Sequence, residues 1–465
     1  MKAQRRPKRR ISRATRRGVA LILVLGALTI LAVMLTEAQD ESSADFAGAL
    51  AARDQLVAEY AAKSAVNLSR LIIAAEPTIR GAIGPLLAML NQGQMPGQIP
   101  IWAHADKALG AFNDQEGQKA FSTLASIDTK LGKNLGFEGA GFEVRIIDED
   151  SKINVNAAAR GEAFSETRLA SQLMGLMFGP QYDPLFSERD ADGQFSDRNQ
   201  ICSAIVDFVD PNQDQAPCDV GTVTAQAAAP EDSFYSLLDR PYERKNAALD
   251  SLEELRRVRG MSEDFWATFI DPDPDDPDRR VVSVWGSGAV NINTANPQVI
   301  LTLICQPNGA PESPVCTDPV ESAKLLGALN MVHAFTAGAP IFGSPKAFAK
   351  ALKGSGMFGE VMKMLQIQPI QLKSEEDFLK AVSTESKVFG IYATGYVRAG
   401  KRETRTRVHA VVDFRGAPPP GVSAQAVEVA KEAAAALDPT GTTGQQIEAA
   451  LKPSPGGNII YYRVD

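Results

Sequence analysis

The sequence predicts an α+β fold: a long N-terminal helix, one sheet whose strands come from both ends of the chain, and a large helical domain inserted between them. Three observations predict it. Helical periodicity runs from Val19 to Ala75, residues 142 to 146 alternate apolar and polar, and three further strand-like runs follow residue 388. The 465 residues are enough for two or three domains with substantial cores.

The helix comes first. In "RRGVALILVLGALTILAVMLTEAQD" no charge falls between Arg17 and Glu37, and the apolar run Val19 to Leu35 is 17 residues long. That is the short end of what a membrane-spanning helix needs. Residues 1 to 36 carry nine Lys and Arg and no Asp or Glu, so the positive-inside bias keeps the leader in the cytoplasm and sends the rest across. A secretory signal would place its small-residue cleavage site just after the apolar core. Here the nearest pair, Ser42 and Ala44, lies beyond an acidic stretch. The alternative is a cut in front of the core, which removes the leader and keeps the helix. Beyond the membrane, Val57, Tyr60, Ala61, Ser64, Leu68, Leu71 and Ile72 recur at three- and four-residue steps, one amphipathic face, and Pro77 is expected to end the helix. This reads as one helix of about 55 residues, roughly 80 Å long, the alternative being an anchor followed by a separate helix.

Strands follow by period two. Phe142, Val144 and Ile146 face one way and Glu143 and Arg145 the other; Phe389, Ile391, Ala393 and Val397 share a face, as do Val408, Ala410, Val412 and Phe414. "NIIYYRVD" closes the chain. The predicted organisation is a basic leader at 1–18, a membrane part at 19–36, the first part of the core at 37–156, an inserted helical domain at 157–366, and the rest of the sheet at 367–465. Within the last, residues 417–457 are rich in Ala, Pro and Gly and predict a flexible excursion with one short helix near Ala424 to Leu437.

Composition excludes several functions. Without the leader's nine cations the net charge falls from −8 to −17, so a general affinity for nucleic acid is not expected. His104, His333 and His409 are far apart in sequence, and no nucleophile elbow, P-loop or zinc-protease motif is present. His409 sits in an alternating strand and reads as a solvated or sheet-packed residue. Four cysteines form two close pairs, Cys202 with Cys218 and Cys305 with Cys316. In an oxidising compartment these are two local disulfides; otherwise they are four buried thiols.

Hard-oxygen ligands cluster in one loop. Asp207, Asp210, Asn212 and Asp214 are followed at the loop's far end by Glu231 and Asp232. Such a set suits Ca²⁺, but its spacing is not that of an EF-hand, and from the residues alone Asx-turn chemistry around Pro211 in a solvated loop is the more ordinary reading. A weaker set, Asp190 and Asp192 before Gly193, lacks the closing Glu of an EF-hand loop. "DPDPDDPD" is a stiff Asp-Pro linker. In "GSGAVNINTANPQVILTLI" either Thr294 or Asn296 caps a helix with Pro297 in its first turn. The unit resembles a helix-hairpin-helix but carries no Lys or Arg, which favours packing over DNA contact.

Taken in order, "RRGVALILVL", "IIDEDSKINVN", "AIVDFVDP", "PEDSFYSLLDRPYERKNAALDSLEELRRVRGM" and "NINTANPQVI" resemble the general secretion pathway protein K family, the large minor pseudopilins of type II secretion systems. The stretch Tyr242 to Gly260 is the most specific. The resemblance implies a pilin-like long helix packed on an antiparallel sheet, interrupted by a helical domain of two SAM-like, helix-hairpin-helix-like units. It implies cleavage by a prepilin peptidase between Gly18 and Val19, with methylation of the new N-terminus. It implies a single-pass inner-membrane protein with its bulk in the periplasm, working with minor pseudopilins I and J and the major pseudopilin at the filament tip. Leu23 would be the fifth mature residue, where most pilin-like subunits carry a Glu that pairs with the subunit ahead. A tip subunit has nothing ahead, and an unpaired intramembrane carboxylate costs about 2.5–3.5 kcal/mol. Two departures stand out: Val19 where Phe is common, and "APED", ending at Asp232, where the family's calcium loop usually reads "GAED". The competing readings are a type IV pilus or DNA-uptake component and a membrane-anchored periplasmic hydrolase.

Overall fold

The computed structural model describes residues 13–90, 97–110, 113, 139–187, 195–213, 216, 218, 233–238, 240–336, 338–417 and 456–465. Helix α1 (Arg13–Leu90) is one continuous element of 78 residues. It passes through Pro77, which corrects the expected stop. A helix-interior proline costs about 3 kcal/mol, but here Pro77 is exposed and its neighbours are anchored. Ile73 and Ala74 pack in the core. The buried Glu76 carboxylate accepts from the Ile99 backbone N–H at 2.9 Å and lies 3.3 Å from Arg80.

The buried face of α1 is also rotated from the expected one. Tyr60 and Leu71 are 53% and 62% exposed, while Ala58, Ala61, Ala62, Ala65, Val66 and Ser69 are buried. The cause is how closely the helix lies on the sheet. A Cβ placed on Gly395 would stand 1.9 Å from the Ala58 carbonyl oxygen, so only small residues fit between the two backbones. Asp54, at the lower end of this face, is buried and ion-paired with Arg53 at 2.8 Å and Arg402 at 2.5 Å.

After α1 a 3-10 turn brings Trp102 edge-on to Phe389, with ring centroids 4.7 Å apart, and leads into α2 (Ala105–Gly110). Strand β1 (Ala140–Asp148) follows, then β2 (Ile153–Asn154). The inserted helical part contains α3 (Ala163–Leu176), α4 (Arg198–Val209), β3 (Val282–Ser283), β4 (Val290–Asn291), α5 (Pro297–Cys305), α6 (Pro319–Phe335), α7 (Pro345–Leu352), α8 (Gly356–Met364), α9 (Glu375–Ala381) and β5 (Val382–Ser383). The chain then returns as β6 (Val388–Ala399), β7 (Arg402–Asp413) and β8 (Asn458–Val464).

The main sheet has the order β1-β6-β7-β8, all antiparallel, so the first strand pairs with one some 240 residues later. Val144 pairs with Ala393, Ala393 with Val408, and Ile146 with Ile391. The alternation expected from sequence is the one observed: Phe142, Val144, Ile146, Phe389, Ile391, Val408, Ala410, Val412 and Phe414 form one core beneath α1. A second, larger core runs from Ile153 to Val382, wider at both ends than the expected 157–366 insertion. Two short parallel pairs, β2 with β3 and β4 with β5, stitch the insertion's base. The expected excursion helix and the Asp190–Asp192 set lie outside the described residues.

Replacing Gly395 by Ala is expected to destabilise the chain by about 1–3 kcal/mol, the cost of overpacking a closed contact. Gly48→Ala, with nothing within 4 Å of its would-be Cβ, should stabilise α1 slightly. Thermal melts of the two variants check the contrast, and equal shifts would refute the close-approach argument.

Candidate functional site: the domain junction, acidic loop and N-terminal helix

The insertion leaves the sheet through three buried acids. Asp148 Oδ2 accepts from the hydroxyls of Ser386 and Thr294, both at 2.5 Å, and Oδ1 accepts from the Asp150 N–H at 2.9 Å. Asp150 accepts from the backbone N–H groups of Ser287, Lys387 and Val388 at 2.5, 2.7 and 3.0 Å. Glu149 accepts from the Ser283 hydroxyl at 2.6 Å and lies 3.5 Å from Lys152 Nζ. Residues on the outgoing strand, within the insertion and on the returning strand are thus held by adjacent carboxylates. Burial, reinforced by the neighbouring Asp150, pushes the Asp148 carboxyl up to about 7, against the pull of its two hydroxyl donors.

The asparagines of "NINTANPQVI" serve the same junction. Asn291 donates to the Ser386 hydroxyl oxygen at 2.7 Å, and Asn293 both donates to and accepts from the backbone of Phe342 at 2.9 Å. Asn296 is the helix cap, accepting from the Gln298 N–H, while Thr294 turns instead to Asp148. The segment is a packing element.

Beside the junction, a polar cleft of about 620 Å³ separates the sheet's outer face from the insertion. Its floor holds His409, stacked on Tyr392 with centroids 4.0 Å apart and touched edge-on by Trp285 of the insertion. Burial, with Arg280, Arg463 and Lys152 nearby, drops the His409 pKa to about 3. It is a neutral sheet-packed residue. His104 and His333 lie on other elements, the 3-10 turn and α6.

At the C-terminal end of α4, Asp207 Oδ1 accepts from the Ala216 N–H at 2.7 Å, and Asp210 is fully buried. Asn212 donates to Asp210 at 2.9 Å and lies 3.5 Å from Glu166 of α3, a residue that sequence reading missed because it is 46 positions away. Asp214, Glu231 and Asp232 lie outside the described residues. Among the described residues no group of three or more His, Cys, Asp or Glu is arranged to hold a metal ion. The structure bonds Cys202 to Cys218 and Cys305 to Cys316, pinning this loop to α4 and the end of α5 to the following turn.

Gly18 and Val19 both lie within α1, and Val19 and Leu23 are 55% and 68% exposed. The side chains from Val19 to Leu35 touch no core, and the helix is long and apolar enough there to cross a membrane.

Residues 151–270 match the family model described as type II secretion system, protein K. The match covers about a quarter of the chain. The matched segment starts just after the junction carboxylates and spans α3, α4, the acidic loop and the Tyr242 to Gly260 stretch. A solved structure, the GspK-GspI-GspJ complex from the enterotoxigenic Escherichia coli type 2 secretion system, is similar at 12% identity and TM-score 0.38, covering 71% of this chain and 82% of that one. Comparison with curated sequences gives no match.

Neutral His409, on the floor of the cleft, carries a pH consequence. Its folded pKa lies below the usual 6.5, so the fold loses nothing above that pH. Stability drains away as pH falls from 6.5 toward 3, where the unfolded chain takes up a proton that the folded chain refuses. His409→Phe keeps the stack on Tyr392 and removes the titration. The variant should gain on the parent as pH drops, by about 2–3 kcal/mol at pH 4.5. Denaturant melts at a series of pH values give the comparison; a constant gap would refute it.

Proposed function

We propose that this chain is the protein K minor pseudopilin of a type II secretion system, a structural subunit at the tip of the pseudopilus that supports export of folded proteins. The protein K match over residues 151–270 carries the reading. The long helix with an unburied apolar first third, laid on an antiparallel sheet, supports it. In this reading a prepilin peptidase cuts between Gly18 and Val19, the new N-terminus is methylated, and the helix anchors the subunit in the inner membrane with its bulk in the periplasm. Minor pseudopilins I and J, named with the protein K homologue in the solved complex, are its partners, with the major pseudopilin below. Deleting the gene should abolish export while leaving the exported proteins intact inside the cell, and I and J should co-purify with the chain. Export unchanged by the deletion would overturn the proposal.

Processing and tip position are tested together. The mature chain should begin at Val19 by N-terminal sequencing, and a bulky residue at Gly18 should leave the leader attached. Leu23→Glu should place an unpaired carboxylate in the membrane, costing about 2.5–3.5 kcal/mol, and so impair assembly at the tip. Unchanged export and filament length would remove the tip argument.

We further propose that the acidic loop binds Ca²⁺ structurally. Asp210, buried where the α4 dipole is negative, and Glu166 present two carboxylates on either side of the Asn212 amide, the kind of charge a hard cation neutralises. Asp207, Asp214, Glu231 and Asp232 are the further candidate ligands. Bound calcium would tie the two ends of the loop and offset its closure entropy. The chain should melt higher in calcium than in chelator, and Asp210→Ala should remove the difference. Equal melting temperatures would rule the site out.

A further inference from the structure

The four-stranded sheet has two outer edges, and the structure treats them differently. At β1 the Asn113 amide stands in for a neighbouring strand: it donates to the Phe142 carbonyl and accepts from the Phe142 N–H at 2.9 Å. No such cover lies against β8 among the described residues. The β7–β8 register says which groups point outward. Arg407 and Asp465 exchange both backbone hydrogen bonds, at 3.0 and 2.9 Å. By antiparallel alternation His409 and Arg463 form the next bonded pair, which turns the N–H and C=O of Tyr462 and Val464 away from β7.

The side chains along this edge are as unusual as its backbone. Ile459, Ile460, Tyr462 and Val464 are each 41–49% exposed, in a position where monomeric proteins normally place charges, prolines or a covering element. Tyr462 and Val464 share the α1 face of the sheet with their partners Ala410 and Val408. On that face Tyr462 lies beside the Lys63–Glu59 ion pair, Lys63 sits over the exposed Tyr60 ring, and Leu56 is exposed one turn earlier. Together they form an apolar ledge. The opposite face carries Arg405, Arg407 and Arg463, with Glu143 and Asp465 beside them. Glu403 holds Arg405 and Asp465 holds Arg463, while Arg407 has no ion pair among the described residues.

We propose that the outer edge of β8 is a docking rail for an extended segment of another protein that alternates apolar and acidic residues. Strand period two would lay its apolar side chains on the ledge of Tyr60, Tyr462 and Val464 and its carboxylates beside Arg463, with Arg407 one strand behind. The backbone groups of Tyr462 and Val464 supply the affinity common to strand addition, and the two-faced alternation supplies the selectivity. A second copy of this chain is a poor occupant, because edge-to-edge pairing would bring Arg463 toward its own counterpart. The proposal does not depend on the secretion reading.

The test uses the full chain in detergent micelles and two fluorescent ten-residue peptides, one alternating valine with glutamate and one alternating valine with lysine. The glutamate peptide should bind saturably by anisotropy, at least tenfold more tightly than the lysine peptide. Tyr462→Pro removes an outward N–H that the β7 ladder does not use, and should weaken binding tenfold or more. Arg407→Glu, on the solvent side, should reverse the preference between the peptides and decides the matter even if the proline variant misfolds. No saturable binding, or a preference untouched by Arg407→Glu, overturns the proposal. A parent chain that sediments as a dimer and is made monomeric by Tyr462→Pro also overturns it, by giving the edge to a second copy.

Discussion

Asp148, Glu149 and Asp150 sit where the chain passes between the two larger hydrophobic cores of the described residues, and they hold it there with hydrogen bonds. Asp150 accepts three backbone N–H groups, two of them from the first residues of the returning strand. A buried carboxylate is tolerable only when its lone pairs are used. The cluster therefore fixes both crossings of the insertion at once: a shift of either strand would leave an acid buried without donors. The parallel pairs β2–β3 and β4–β5 continue the same seam. Trp285 closes it on the far side by resting against His409.

Much of the sheet was legible because its inner face is buried and its period is two, so Phe142, Val144 and Ile146 could be assigned without knowing their partners. The helix was legible in kind but not in phase. Large apolar residues such as Tyr60 and Leu71 dominate a periodicity reading, yet alanines make the contact, since the backbone of β6 comes too close at Gly395 for anything larger. Pro77 misled for a related reason: a local rule was overridden by the anchoring of Glu76 and Ile73. The junction was visible as two motifs and invisible as one site. Thr294 and Ser386 lie 146 and 238 residues from Asp148, and nothing in either motif names the other. The acidic loop was found by composition, whereas Glu166 could be added only from the packing of α3 against α4.

α1 presents small residues inward and large ones outward, the reverse of an ordinary amphipathic helix. Inward, Ala58, Ala62 and Ala65 allow the sheet to approach; outward, Leu56, Tyr60 and Leu71 remain on the surface among the described residues. An exposed apolar stripe on an otherwise charged chain marks a surface made for covering. Together with the uncovered β8 edge, it gives the sheet domain a side that is finished and a side that is not.

The pairing of β1 with β6 has a kinetic side. Bringing Asp148 next to Phe389 closes a chain segment of about 240 residues, which for a flexible chain costs about 5 kcal/mol of closure entropy. The insertion has its own core, and its two ends emerge side by side, with Asp150 accepting from the backbone N–H groups of Lys387 and Val388. Once it has folded, the effective loop shrinks to a few residues. The order of events is thereby set by topology: the guest domain forms first and serves as the turn on which the host sheet is built. Damage to the insertion, even far from the sheet, would then appear as a host that assembles late, with the sheet's inner face of Phe142, Val144 and Ile146 uncovered for longer.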